Sequence, residues 1–87
     1  MTNINFMMNM TKSYLEGKIG SISYCLDFPY ELEKRYEKMV KENREYAELI
    51  YDLLIEDGIN MDNQLTDIKL KELISKHYEY IKSIDTL

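Results

Sequence analysis

Cysteine, histidine and proline each occur once in the 87 residues, glycine three times and tryptophan not at all. Each scarcity excludes something. A lone Cys25 cannot close an internal disulfide, and with His77 the only histidine no cluster has zinc-ligand spacing. Cys25 and His77 are also the only conventional nucleophile and base. No third orienting residue or oxyanion motif accompanies them, so a buried cysteine and a satisfied histidine are expected. Phosphate-binding glycine loops and nucleotide fingerprints are absent. The stretch Asp57-Gly58-Ile59-Asn60-Met61-Asp62 departs from a calcium loop, with Gly second and Ile third where a ligand is needed. Glu42, Glu45, Glu48, Asp52 and Glu56 include pairs at helical spacing, but no Glu-x-x-His completes a di-iron site. No catalytic residue, metal or cofactor is therefore expected. No apolar run approaches the roughly 20 residues of a membrane span. Residues 1–10 also lack the Lys and Arg of a secretory signal, so a cytoplasmic protein without membrane association is expected.

What remains is a small acidic chain, 45% hydrophobic with a net charge of −5. That is one domain's worth of sequence. Ile, Lys, Tyr and Asn, all with AT-rich codons, supply 33 residues against a single Ala47, which points to a low-GC bacterium or one of its phages or plasmids.

Hydrophobic periodicity predicts an all-α fold. Residues 1–12, with Met7, Met8 and Met10 crowded together, show no clear helical period and read as an N-terminal arm, either flexible, a short strand or a docking segment, with 13–87 as one helical domain. Ser13-Tyr14-Leu15-Glu16 matches the capping box that opens a helix. Leu15, Ile19, Ile22 and Leu26 come next at helical spacing as its apolar face, weakened by Gly17 and Gly20. Asp27-Phe28-Pro29 reads as the end of that helix and the start of the next. Between Pro29 and Asp57 there is no Gly or Pro. Leu32, Tyr36, Met39, Asn43, Tyr46, Ile50 and Leu53 form a heptad seam over that span, widened by Val40, Ala47 and Leu54. One uninterrupted helix of about 43 Å is expected, closed by a left-handed Gly58 with Ile59 in the Schellman contact. Beyond a polar connection, a third helix begins at Thr66 or Asp67 with Leu70, Ile74, His77, Ile81 and Ile84 on one face. It should fold back antiparallel on the long helix. Pairing of the seam with a second copy is the alternative, giving a structural homodimer.

Charge placement departs from the plain expectation. The window from Glu45 to Asp67 holds seven acids and no Lys or Arg, while the rest of the chain carries 9 acids against 11 bases. Glu45, Glu48, Asp52 and Glu56 step along one helical face, with Asp57 after them. On a single helix this is the wrong polarity, because the macrodipole favours cations at the C-terminal end. Lys34, Arg35, Lys38, Lys41 and Arg44 sit in the other half. Either the acids are an ordinary solvated face, or they dock on a basic partner. Eight tyrosines add interface-forming side chains, with Tyr51 beside the acidic row.

The segment from Leu49 through Gly58 to Tyr78 is faintly similar to the small two-helix phosphatases that act on a sporulation response regulator. Their second helix carries Ser-Gln-Glu-Leu-Asp. The corresponding stretch here is Asp67-Ile68-Lys69-Leu70-Lys71, which keeps only the Leu and puts Lys71 where the activity needs an acid. That departure leaves a phosphatase-like regulator as the alternative reading. The favoured expectation is a non-enzymatic module that binds a protein partner through Glu45, Glu48, Tyr51, Asp52, Glu56 and Asp57. Its target would be a basic surface of the kind that neutralises phosphates. Direct nucleic-acid binding is disfavoured by the sign of the charge. Phage-encoded antagonists of host defence share this size and acidity, an analogy from composition alone.

Overall fold

In the computed structural model, which describes residues 2–84, the chain is all-α with no strand among those residues. Helix α1 spans Asn3–Leu15, α2 spans Ser21–Ile50 and α3 spans Asp67–Lys82. A π-helical turn, Tyr51–Glu56, continues α2, and a 3-10 helix, Ile59–Gln64, leads to α3. Residue 1 of the expected arm and residues 85–87 of the expected domain lie outside the described residues.

The expected arm is instead helix. Thr2 caps α1, its hydroxyl accepting from the Asn5 amide at 3.0 Å, and Met7, Met8, Thr11 and Tyr14 bury one face. The period is hidden in the sequence because its third member is polar. Thr11 is buried with its hydroxyl satisfied by the Met7 carbonyl at 3.2 Å and by the Tyr24 hydroxyl at 2.8 Å. Ser13 and Glu16 end this helix rather than open one. Glu16 is the C-cap, Gly17 takes the left-handed conformation (φ 80°), and a Schellman motif closes. In it the Lys18 amide donates to the Ser13 carbonyl at 2.8 Å and the Gly17 amide to the Tyr14 carbonyl at 3.1 Å. Gly58, assigned that role from sequence, has φ −133° and works by size instead. A Cβ there would meet the Leu54 carbonyl oxygen at 2.6 Å and Ile74 Cδ1 at 2.7 Å.

The break expected near Pro29 and the continuity expected through Asn43 are interchanged. Helix α2 runs through Pro29, which costs about 3 kcal/mol. Tyr24, Phe28 and Leu32, all buried one turn apart, outweigh that at about 1.5–3 kcal/mol each. At Asn43 the backbone turns extended (φ −167°, ψ 103°), and the Asn43 side chain accepts from the Tyr46 amide at 3.1 Å, capping the helical segment beyond it. A straight α2 would be about 45 Å long, but the longest dimension of the molecule is 34 Å. The first arm, residues 21–42, and the second, from 44 through the π turn, fold against each other. Tyr36 and Tyr51, about 22 Å apart along a straight helix, stand with ring centroids 5.9 Å apart. The heptad seam is thus closed within one chain: Leu32 and Met39 on one arm and Ala47, Ile50 and Leu54 on the other are buried.

The sharp turn also accounts for part of the charge anomaly. Lys38 and Lys41 lie at the C-terminal end of the first arm and Glu45 in the first turn of the second, both favourable. Glu42 reaches the N-terminus of α1, accepting from the Asn3 and Ile4 amides at 2.9 and 3.0 Å and from the Asn3 side chain at 2.9 Å. Arg35 bridges α1 and α2, stacked 3.7 Å over Phe6, paired with Glu31 at 3.0 Å and bonded to Asn3 Oδ1 at 2.8 Å. Helix α3 starts where the sequence places it, capped by Thr66. It buries Leu70, Ile74 and Ile81 against α1, α2, the π turn and the 3-10 helix. The exposed surface, 5626 Å², is close to the roughly 5,400 Å² expected of a folded monomer of this mass.

Candidate functional site

The second arm carries the residues that charge patterning singles out. Glu45, Glu48, Asp52, Glu56 and Asp57 are all exposed, and Tyr51 is 41% exposed. None of them forms an ion pair with another described residue; Lys18–Glu16 and Arg35–Glu31 lie elsewhere. Their shared exposure comes from the burial of Ala47, Ile50 and Leu54, which turns the opposite side of the helix outward. Asp52, Glu56 and Asp57 still crowd a helix C-terminus, with no basic residue in that last turn.

Folding at Asn43 brings one of the six, Tyr51, to a feature the sequence does not reveal. Between the arms runs a groove of about 390 Å³, floored by Pro29, Leu32, Tyr36 and Ile55 and edged by Tyr51, with Glu33 and Glu37 along the first arm. Burial pushes the Tyr36 phenol above its ordinary range, and the charges of Glu48 and Asp52 push it further, with Arg44 opposing. Tyr36, which lines the groove, is thus within electrostatic reach of two carboxylates of the row. Glu45, Glu48, Asp52, Glu56 and Asp57 are exposed on the arm without lining the groove. The groove residues of the first arm were missed because a straight helix keeps residue 36 far from residue 51. The reversal from Lys38, Lys41 and Arg44 to Glu45 and Glu48 was the available signal, read as an anomaly rather than as two helix ends.

One further surface runs into this groove. The expected apolar face Leu15, Ile19, Ile22, Leu26 is cut by the left-handed Gly17. Leu15 and Ile19 pack partly against the core, whereas Ile22 and Leu26 are 77% and 69% exposed. Tyr30, one turn on and 65% exposed, extends the stripe to the groove mouth at Pro29.

Burial, with the charges of Asp62 and Asp67, pushes the Cys25 thiol up to about 11, opposite to what a nucleophile requires. Asp62 lies in the 3-10 helix and Asp67 opens α3, with His77 about 15 Å further along α3. Its Nε2 is buried and makes no hydrogen bond to a described residue. Lys71, at the position where the phosphatase resemblance needs an acid, holds its ammonium 5.6 Å from the Tyr14 ring centroid, a packing role. No three His, Cys, Asp or Glu side chains among the described residues converge as metal ligands. No helix among them is long and apolar enough to cross a membrane. No protein-family model, curated protein or solved structure matches the chain.

Proposed function

We propose that this chain is a non-enzymatic protein-binding module, an inhibitor or regulator that occupies a basic surface of its partner. The observation that carries the reading is the second arm itself. Its exposed row Glu45, Glu48, Asp52 and Glu56 has no ion-pair partner among the described residues, and Tyr51 on the same arm edges a groove. Unpaired carboxylates beside an aromatic edge combine long-range steering with contact area. A partner surface built to neutralise phosphates offers the complementary Lys and Arg. Small acidic antagonists that phages direct at host defence are the analogy in size and charge, and low-GC codon usage suits such an origin.

The test is charge reversal. The triple variant Glu48→Lys, Asp52→Lys, Glu56→Lys changes only exposed positions and should keep the helical circular dichroism of the parent. Immobilised parent protein should retain its partner from a lysate of the encoding organism, and the variant should lose at least 90% of that retention. Equal retention by the two proteins would remove the acidic face from the function.

A further inference from the structure

The acid-bordered groove and the exposed apolar stripe are continuous, and together they specify what kind of element could lie on them. Ile22, Leu26 and Tyr30 are exposed at successive turns of the first arm. The next turns bring Pro29, Glu33, Tyr36 and Glu37 to the groove. From Ile22 to Glu37 this track is about 22 Å long, four turns of helix. Its apolar part stands on one side. Carboxylates line the remainder, Glu33 and Glu37 on the track, with Tyr51 across the groove. The first arm's own Lys34 and Lys38 step round to the next face. Pro29 has no amide hydrogen to give the Cys25 carbonyl, so that acceptor lacks its usual helical donor beside the track.

Resting on the reading that this surface meets a basic partner, we propose that the partner element is an amphipathic helix with Lys or Arg beside its apolar face. Its apolar residues lie along Ile22, Leu26 and Tyr30, as helix-in-groove recognition requires. One of its basic side chains enters the groove, the stem against Pro29, Leu32 and Ile55 and the charged head among Glu33, Glu37 and the Tyr36–Tyr51 edge. A groove of about 390 Å³ is at the small end for ligands and suits a single long side chain. Charge complementarity selects this occupant over the others. A purely apolar helix would bury the rim carboxylates unpaired. A second copy would bring Glu33 and Glu37 of both chains to one seam, and nucleic acid carries the wrong sign.

The probe is a fluorescein-labelled, C-terminally amidated 16-residue helical peptide with Leu at every fourth position and Arg on both flanks. A scrambled peptide of the same composition is its control, and binding is read by fluorescence anisotropy. The parent protein should bind the amphipathic peptide at least tenfold more tightly than the scramble. Leu26→Asp, a change at an exposed position, should abolish that preference with the fold intact by circular dichroism. Equal affinity for both peptides, or a Leu26→Asp protein that keeps the preference, overturns the proposal. If both peptides bind equally and the Glu48→Lys, Asp52→Lys, Glu56→Lys variant loses both, helix docking fails while the acidic-surface reading stands. If neither peptide binds at low salt, both fail. A parent dimer in sedimentation that dissociates in Leu26→Asp would assign the stripe to a second copy and overturn the proposal as well.

Discussion

A methyl group at Gly58 would stand within 2.8 Å of two backbone carbonyl oxygens and 2.7 Å from Ile74 Cδ1. The position looks like a helix-stop glycine in sequence, yet its backbone does not need one; the space does. The π turn ends against α3 at this point, and both carbonyls belong to that turn. Gly58→Ala should therefore destabilise the protein by about 1–3 kcal/mol through overpacking. Urea denaturation should show a lower midpoint with an unchanged slope. Gly20 has open space around its Cβ position, and Gly20→Ala should cost less than about 1 kcal/mol. A Gly58→Ala protein as stable as its parent would mean that the π turn and α3 are not in contact there.

Two neighbouring side chains decide how the long helix becomes a hairpin. Asn43 caps the second arm, and its neighbour Glu42 caps a different helix, α1, from across the fold. Asn43→Ala removes the cap and should cost about 1 kcal/mol in chemical denaturation. For Glu42, partial desolvation pushes the carboxyl up, but the hydrogen bonds from the Ile4 and Asn3 amides outweigh it, and the group is held below its ordinary value of 4.5. A depressed folded-state value stabilises the protein above that ordinary value, and the contribution is lost as pH falls through the folded one. Glu42→Gln should cost about 0.3–1 kcal/mol at pH 7, the range for an exposed charge at a helix N-terminus. Between pH 5 and 3 the gap between the parent and Glu42→Gln melting temperatures should close, and a gap that persists would contradict the assignment. At this scale much was legible in sequence. Thr66 announces α3 with its cap, and Leu32, Met39 and Ile50 mark a buried seam. The break was not legible, because a heptad repeat has the same phase whether it pairs with a neighbour or folds back on itself, and an Asn on the seam fits both. Helix α1 was hidden by three asparagines and by Thr11, whose burial depends on a hydroxyl of α2.

For the molecule as a whole, the hairpin changes what the charges mean. About half of the apparent mispolarisation disappears once Lys41 and Glu45 belong to different helices. What remains is Asp52, Glu56 and Asp57, placed against the dipole at the end of the π turn with no described ion-pair partner. Those positions could be read from sequence, because a charged row at helical spacing beside a seam can only face outward. The groove that Tyr51 edges could not, since it forms between segments that only tertiary folding brings together. Nor could the exposure of Ile22 and Leu26, which depends on Gly17 ending α1 before their expected partners join them. Whether the remaining acids serve a partner or only solubility is decided by capture on the immobilised chain from lysate of the encoding organism. The capture is run at about 50 mM and 1 M salt, with and without duplex DNA. One basic nucleic-acid-handling protein should be held at low salt and released both by high salt and by DNA. Recovery of the chain alone at either salt, or of a partner indifferent to both treatments, would contradict a partner-binding role for the acidic face.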